Sequence, residues 1–444
     1  MTSAAQFLPE IVPEYADTQQ FRTVQSVRRG IAAGVVGNML EWYDFALFGF
    51  FARQIGAHFF PSSSATASTL AVFGTFAAGF IMRPVGGALF GWIGDRYGRK
   101  QALIGSVLAM AFPSFFVALL PDAARLGVLA TILLVLFRLI QGLAVGGEYM
   151  ASAVFLVEGA PPGRRGWMGS WGPFGASAGT LLGSAAGAII NAALPADQVM
   201  AWGWRIPFAL GLLVALGGFW VRKHYVERKP QQETSKAPLK EAFAQYGGAI
   251  GHLVLLTAGV SITFYTAFVY AATWLQQVAN VPGSTALGIN TAAMALLLVV
   301  NPLAGKASDR YGRRVLLMAG AAGMALFAYP LMLLMRSGTP LNIFLGEGGL
   351  AVLLGIYGGG LPAAMAELAP WRLRCTVLSV GYNLGVALLG GTTPLVAEWL
   401  LARTGLAMAP ALYLVAGAAL AFLAAVRFPK AVPHPMTVEF STLG

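Results

Sequence analysis

Cysteine is almost missing: Cys375 is the single thiol in 444 residues. One thiol forms no intramolecular disulfide and no cysteine metal cluster. The four histidines, His58, His224, His252 and His434, are scattered over span ends and loops. That scatter supports neither a metal site nor a histidine relay. Charge is scarce too. Asp, Glu, Lys and Arg together make 11% of the chain, against about 25% in a soluble domain. HExxH and P-loop patterns do not occur, so the chain offers no catalytic set for a membrane enzyme. The first thirty residues hold no apolar core and read as a cytosolic-type tail, not a cleavable leader.

What is abundant is apolar surface. Hydrophobic residues make 57% of the chain and mean hydropathy is +0.69. Twelve candidate spans of about 20 residues follow, near 31–56, 67–93, 101–120, 127–150, 167–192, 205–222, 250–275, 285–305, 314–335, 341–366, 375–402 and 407–427. This predicts an all-α, polytopic membrane protein. Lys and Arg concentrate in alternate loops, the interior exceptions being Arg83 and Arg138. The positive-inside rule then places both termini in the cytoplasm. The net charge of +11 is thus an orientation signal with affinity for anionic lipid headgroups, and not a nucleic-acid footprint.

A repeat divides the chain. "GWIGDRYGRKQAL" at 91–103 is echoed by "GKASDRYGRRVLL" at 305–317, and the shared aspartates, Asp95 and Asp309, lie 214 residues apart. The polar, proline-punctuated stretch 222–242 separates the copies. The expected organisation is a tail (1–30), a six-helix bundle (31–222), a cytoplasmic loop (223–249), a second bundle (250–427) and a C-terminal tail (428–444). Two equivalent bundles around a central cavity are the architecture of alternating access. They favour a carrier over an enzyme, and a single chain with both halves needs no partner to form a pathway.

From about residue 30 to 427 the chain resembles a major facilitator superfamily transporter, and within it the metabolite:proton symporter family. "GDRYGRK" resembles the superfamily loop signature, and "RLIQGLAVGGEY" at 138–149 the fourth-helix signature. "GNMLEWYDF", "FIMRPVGG" and "GYNLGVALLGGTTPLVAEWL" are similar to this family in particular. The resemblance implies two six-helix bundles in a bacterial inner membrane and proton-coupled symport with the proton as coupling ion and no other cofactor. It also implies a small metabolite, as in citrate, alpha-ketoglutarate, shikimate and proline/betaine carriers. It further implies a cytoplasmic latch made by Asp95, Arg96, Gly98, Arg99 and Glu148, with Asp309, Arg310, Gly312 and Arg313 in the second half. Read without the resemblance, these arginines only fix topology.

Embedded charges mark the remaining candidates. An acid or arginine at a helix centre costs about 2.5–3.5 kcal/mol on insertion scales and faces protein or water rather than lipid. Glu41 and Asp44 stand three residues apart in the first span, so they lie on neighbouring faces about 60° apart. Asp44, with Glu41, is expected to alternate between a protonated and an ion-paired state, with Arg138 or Arg83 as partner. Arg83, Arg138, Gln141, Tyr382, Asn383 and Glu347 are the candidate substrate ligands. Glu347, alone in the tenth span, also suits proton carriage. Glu367 and Glu398, near span ends, are expected at the interface, and the glycine ridge Gly175, Gly179, Gly183 and Gly187 is a packing face. The expected activity is proton-coupled symport of a di- or tricarboxylate-like organic acid. The alternative is a zwitterionic osmolyte such as proline or betaine; the 17 residues beyond Arg427 cannot hold the long coiled coil of some osmosensing members, which weighs against it. A non-transporting sensor is the reading from another class.

Overall fold

The computed structural model describes residues 24–97, 99–146, 148–212, 238–370 and 373–429. These residues are almost wholly helical. Long stretches of Leu, Ala, Val and Phe provide the reason. In lipid every backbone N–H and C=O needs a partner inside its own segment, and the α-helix supplies one. Nine helical segments are long and apolar enough to cross a membrane among the described residues, from Ala65–Phe90 to Ala409–Val426.

In the first half, α1 is Val24–Phe50, α2 Ala52–Phe59, α3 Ala65–Ile81, α4 Arg83–Tyr97 and α5 Arg99–Leu119. Then come α6 (Val128–Val145), α7 (Glu148–Glu158), the short α8 (Arg165–Gly169) and α9 (Trp171–Ala193). The second half carries α10 (Pro238–Phe264), α11 (Ala271–Val278), α12 (Gly283–Tyr311), α13 (Arg313–Met335), α14 (Pro340–Leu368), α15 (Arg374–Gly385), α16 (Thr393–Thr404) and α17 (Ala409–Val426). The expected loop 223–249 is shorter than its composition suggests. Helix α10 already runs from Pro238, bending at Tyr246, whose φ of −124° and ψ of 21° are non-helical.

Small residues set how closely the helices pack. A Cβ on Gly142 of α6 would collide with the Gly79 carbonyl of α3, so only glycine allows that crossing. The ridge of α9 faces α1, with Gly175 against Val35, Gly179 against Met39 and Gly183 against Tyr43. At the α12–α13 turn Gly312 has φ 93°, a left-handed geometry that suits glycine. Two π-helical turns interrupt the second half, Tyr265–Tyr270 between α10 and α11 and Val386–Gly390 between α15 and α16. Such wide turns re-aim side chains and recur at functional sites. Here Tyr265 and Val386 both reach the central cavity.

The halves meet along α9 and α12, and along α3 and α4 with α15, α16 and the wide turn between them. Glu398 departs from its expected interfacial place. It is only 1% exposed and accepts hydrogen bonds from Tyr270 (2.8 Å) and Gln277 (3.1 Å). Packing of α16 against α3 and the wide turn 265–270 encloses it.

Candidate functional site

Helix α1 sends consecutive functional side chains to different neighbours. Asp44 turns into the first half. The Ser114 hydroxyl of α5 donates to its Oδ2 and also lies 2.8 Å from the Met110 carbonyl. Gln141 of α6 donates to the same hydroxyl (2.8 Å), and Arg138 donates to the Gln141 carbonyl oxygen (3.1 Å). Asp44 and Arg138 therefore communicate through two neutral side chains. The Arg138 guanidinium is wrapped by aromatic rings, 3.9 Å from the centroid of Phe45, 4.6 Å from Phe48 and 4.9 Å from Phe76. The negative ring faces offset part of the cost of burying this cation.

This chain serves both protonation states of Asp44. A hydroxyl has one donor and two acceptor sites. Facing a carboxylate, Ser114 donates to Asp44 and accepts from Gln141. Facing a carboxylic acid, it accepts from both and its own proton turns to the Met110 carbonyl. Neither state leaves the hydroxyl unpaired, so the proton can come or go without breaking the local structure.

Between the halves lies a cavity. Trp42, Tyr149, Phe264, Tyr265 and Tyr382 form an aromatic box around it, with Ser177, Ser261 and Asn301 as small polar groups. Trp42 meets Tyr265 in a stacked pair with centroids 6.2 Å apart, and Phe264 edge-on at 5.5 Å. Tyr149 and Tyr382 stack at 4.9 Å, one from each half. Arg83 acts electrostatically on Tyr149, Tyr265 and Tyr382, and Glu41 on Tyr265 and Tyr382. Arg83 Nε donates to Asn383 Oδ1 (3.3 Å), while its buried Nη2 has no hydrogen-bond partner. Asn383 in turn donates to the Gly146 carbonyl (2.6 Å), tying α15 to the first half. A ring of π faces thus surrounds one space, with a guanidinium and an acid acting on its tyrosines from behind the wall.

Both ends of the inter-half seam are closed. At one end the Asp309 carboxylate accepts the backbone N–H groups of Gly166 and Trp167, each at 2.8 Å, at the start of α8. Arg313 pairs with Asp309 (2.8 Å) and with Glu367 (3.1 Å), and Arg374 with Glu158 (2.8 Å). At the other end Asn290 and Thr291 of α12 donate to Ser184 of α9 (2.9 and 3.0 Å), Ser184 donates to the Leu287 carbonyl, and Phe73 meets Tyr270 edge-on.

The sequence-derived residues therefore separate into three places. Tyr382 lines the cavity, while Glu41, Arg83 and Asn383 stand behind its tyrosines without lining it. Asp44, Arg138 and Gln141 form the buried chain behind it, and Arg138 and Gln141 do not line the cavity. Glu347 is buried in α14 and also stands apart from the wall. Among the latch residues, Asp309 clasps the other half, Arg313 braces it from its own half, Gly312 makes the turn, and Arg310 is exposed beside Tyr311. The side chains of Asp95, Arg96, Arg99 and Glu148, and Gly98 itself, lie outside the described residues. Sequence reasoning passed over Trp42, Tyr149, Phe264 and Ser114 as site residues. Trp42 and Tyr149 did carry a signal, each sitting beside an acid in "LEWYD" and "GGEY".

Comparison with known proteins fits this geometry. The family described as "Sugar (and other) transporter" matches residues 31–241 and 220–436. The chain is 31% identical over 426 residues to the "Proline/betaine transporter" of Salmonella typhimurium, covering 92% of this chain and 85% of that protein. It is 32% identical over 425 residues to the "Glycine betaine/proline/ectoine/pipecolic acid transporter OusA" of Dickeya dadantii, with the same coverages of 92% and 85%. In fold it resembles the proton:xylose symporter XylE, with a TM-score of 0.73 at 19% identity over 92% of this chain and 96% of that one. A second D-xylose-proton symporter structure gives a TM-score of 0.70 at 20% identity over 92% and 98%.

Proposed function

Because this chain belongs to the sugar (and other) transporter family, and is a multi-pass membrane transporter of the major facilitator fold, we propose that it imports a small zwitterionic osmolyte, of the betaine or proline type, together with protons. The aromatic box carries this reading. A quaternary or secondary ammonium is attracted to π faces by about 0.5–2 kcal/mol, and Trp42, Tyr149, Phe264, Tyr265 and Tyr382 present five rings around one space. The free Nη2 of Arg83 supplies the single carboxylate contact a zwitterion needs. A di- or tricarboxylate asks for more cationic donors than this wall offers, and Arg138 is held behind it by Gln141 and three phenylalanines. The relatives carry proline and betaine in their names. The organic-acid expectation accordingly takes second place.

Transport then proceeds by alternating access between two bundles in a bacterial inner membrane, with the Asp309 end cytoplasmic. Substrate carboxylate at Arg83 and ammonium in the box draw the halves together around the cavity. Trp42 and Asp44 are two residues apart on α1, so a shift of α1 on substrate binding also moves Asp44 against Ser114. That move changes the distance to Arg138 and with it the balance between carboxylate and acid, which is how a proton is taken up or released.

A ligand panel tests the substrate class. Binding to the native state raises apparent stability by RT ln(1 + L/Kd) at free ligand concentration L, so glycine betaine and proline are expected to raise the melting temperature of purified protein while citrate does not. Stabilisation by citrate and not by betaine refutes the zwitterion. Asp44→Asn tests coupling in proteoliposomes. It is expected to abolish proton-driven accumulation while counterflow exchange persists; accumulation unchanged from wild type removes Asp44 from the mechanism.

A further inference from the structure

The mechanism above leaves a buried acid of α14 unused. Glu347 of α14 is 1% exposed, and both carboxylate oxygens are buried without a hydrogen-bond partner. No charged side chain among the described residues acts on it electrostatically. The titratable groups on neighbouring elements are engaged or distant. Tyr270 gives its hydroxyl to Glu398 and Tyr357 to the Leu256 carbonyl, while Tyr265 and Tyr382 belong to the box. Lys306, Asp309, Arg310, Arg313, Arg314, Glu158, Arg165 and Arg374 gather at the far end of α14 with Glu367, about 30 Å along the helix from Glu347. His252 of α10 packs near Phe428, and Lys240, Glu241 and Tyr246 precede it. Arg336 is exposed beyond the end of α13.

Helix periodicity places the acid. Leu354 and Gly358 line the cavity, and Glu347 precedes them by 7 and 11 residues, each within about 20° of the same helix face. Glu347 therefore lies about 10 Å from the cavity wall along one stripe of α14, toward the Pro340 end. A carboxylate there, with no donor and no cation, is far costlier than a carboxylic acid. When α14 moves to open a path from the Pro340 end, outside water reaches this stripe and a carboxylate there takes up its proton; when the Asp309 end opens, the O–H bond breaks and the proton leaves along the stripe to the water of the cavity.

Resting on the proton-coupled reading, we propose that Glu347 is a second proton-carrying group, in the second half, so that each cycle moves two protons with one substrate. The test is steady-state accumulation of radiolabelled glycine betaine in proteoliposomes, with the membrane potential clamped to zero and the pH gradient varied. Two coupled protons give a hundredfold rise in accumulation per pH unit and one gives tenfold. Across about two pH units, wild type is expected to reach roughly 10⁴-fold and Glu347→Gln roughly 10²-fold. A tenfold slope in wild type, or the same slope in Glu347→Gln as in wild type, overturns the proposal and leaves single-proton coupling standing. A flat wild-type slope overturns the proton-coupled reading itself. Loss of betaine counterflow in Glu347→Gln assigns the acid to substrate binding and overturns it too. A second measurement needs neither the variant nor the substrate. A hydrophobic carbodiimide reacts with protonated, membrane-buried carboxyls, so wild type treated at acidic pH is expected to carry the adduct on Glu347 by peptide mass spectrometry. Absence of that adduct overturns the proposal.

Discussion

Replacing Asp309 by asparagine puts the latch at a single oxygen. The native carboxylate receives the Gly166 and Trp167 N–H groups at 2.8 Å each and the Arg313 guanidinium at 2.8 Å. Hydrogen bonds to a charged acceptor contribute about 1.5–3 kcal/mol each. Asparagine keeps one carbonyl oxygen, so one N–H at the start of α8 loses its partner and the other faces a neutral acceptor. Arg313 keeps Glu367 at 3.1 Å and is not stranded. The net loss is about 2 kcal/mol, and it falls only on the conformation in which this end is shut. That corresponds to roughly a 30-fold shift toward the conformation open at the Asp309 end. Ser170 reports on it, because it is fully buried beneath Gly305 of the other half. In a Cys375→Ala background, Ser170→Cys is expected to be alkylated roughly 30 times faster when Asp309→Asn is added, since reactivity follows the open population. An alkylation rate unchanged by Asp309→Asn refutes the latch and reduces these contacts to static packing.

Trp42→Ala removes one wall of the box and is expected to weaken glycine betaine binding by about 2 kcal/mol, roughly 30-fold, with Trp42→Phe intermediate. Counterflow titration measures it, and equal affinities across the three proteins refute the π-face contact. Gly142→Ala places a methyl group on the Gly79 carbonyl and is expected to destabilise the protein by on the order of 1–3 kcal/mol. Gly74→Ala has nothing within 4 Å of the added carbon and serves as the neutral control. Thermal unfolding in detergent separates the two, and equal melting temperatures contradict the close crossing of α3 and α6.

Much of the architecture was legible because the bilayer imposes simple rules on a sequence. Apolar runs announced the helices, and the paired "DRYGR" loops announced two related halves. The ridge Gly175–Gly179–Gly183 announced a close helix contact, though not that α1 would fill it. Less legible were the roles that depend on helix phase and on the partner helix. Arg138 and Gln141 looked like substrate ligands, since an embedded arginine suggests an anion; yet α6 turns them toward α5 and α1, where Ser114 and three phenylalanines hold them. Glu398 looked interfacial from its place near a span end, and became a buried acceptor for Tyr270 and Gln277.

By itself, the sequence determined that this chain spans a membrane, repeats itself about a polar middle and carries acids and arginines where lipid would reject them. Those properties follow from local composition and spacing. The tertiary structure decided which of those charges meet. Glu41 and Asp44 are three residues apart, yet one acts on Tyr265 and Tyr382 of the cavity wall while the other reaches Ser114. The box is likewise assembled from α1, α7, α10 with its wide turn, and α15. Contacts between residues hundreds of positions apart, such as Arg83 with Asn383, depend on how helices pack and turn, and no local pattern encodes that.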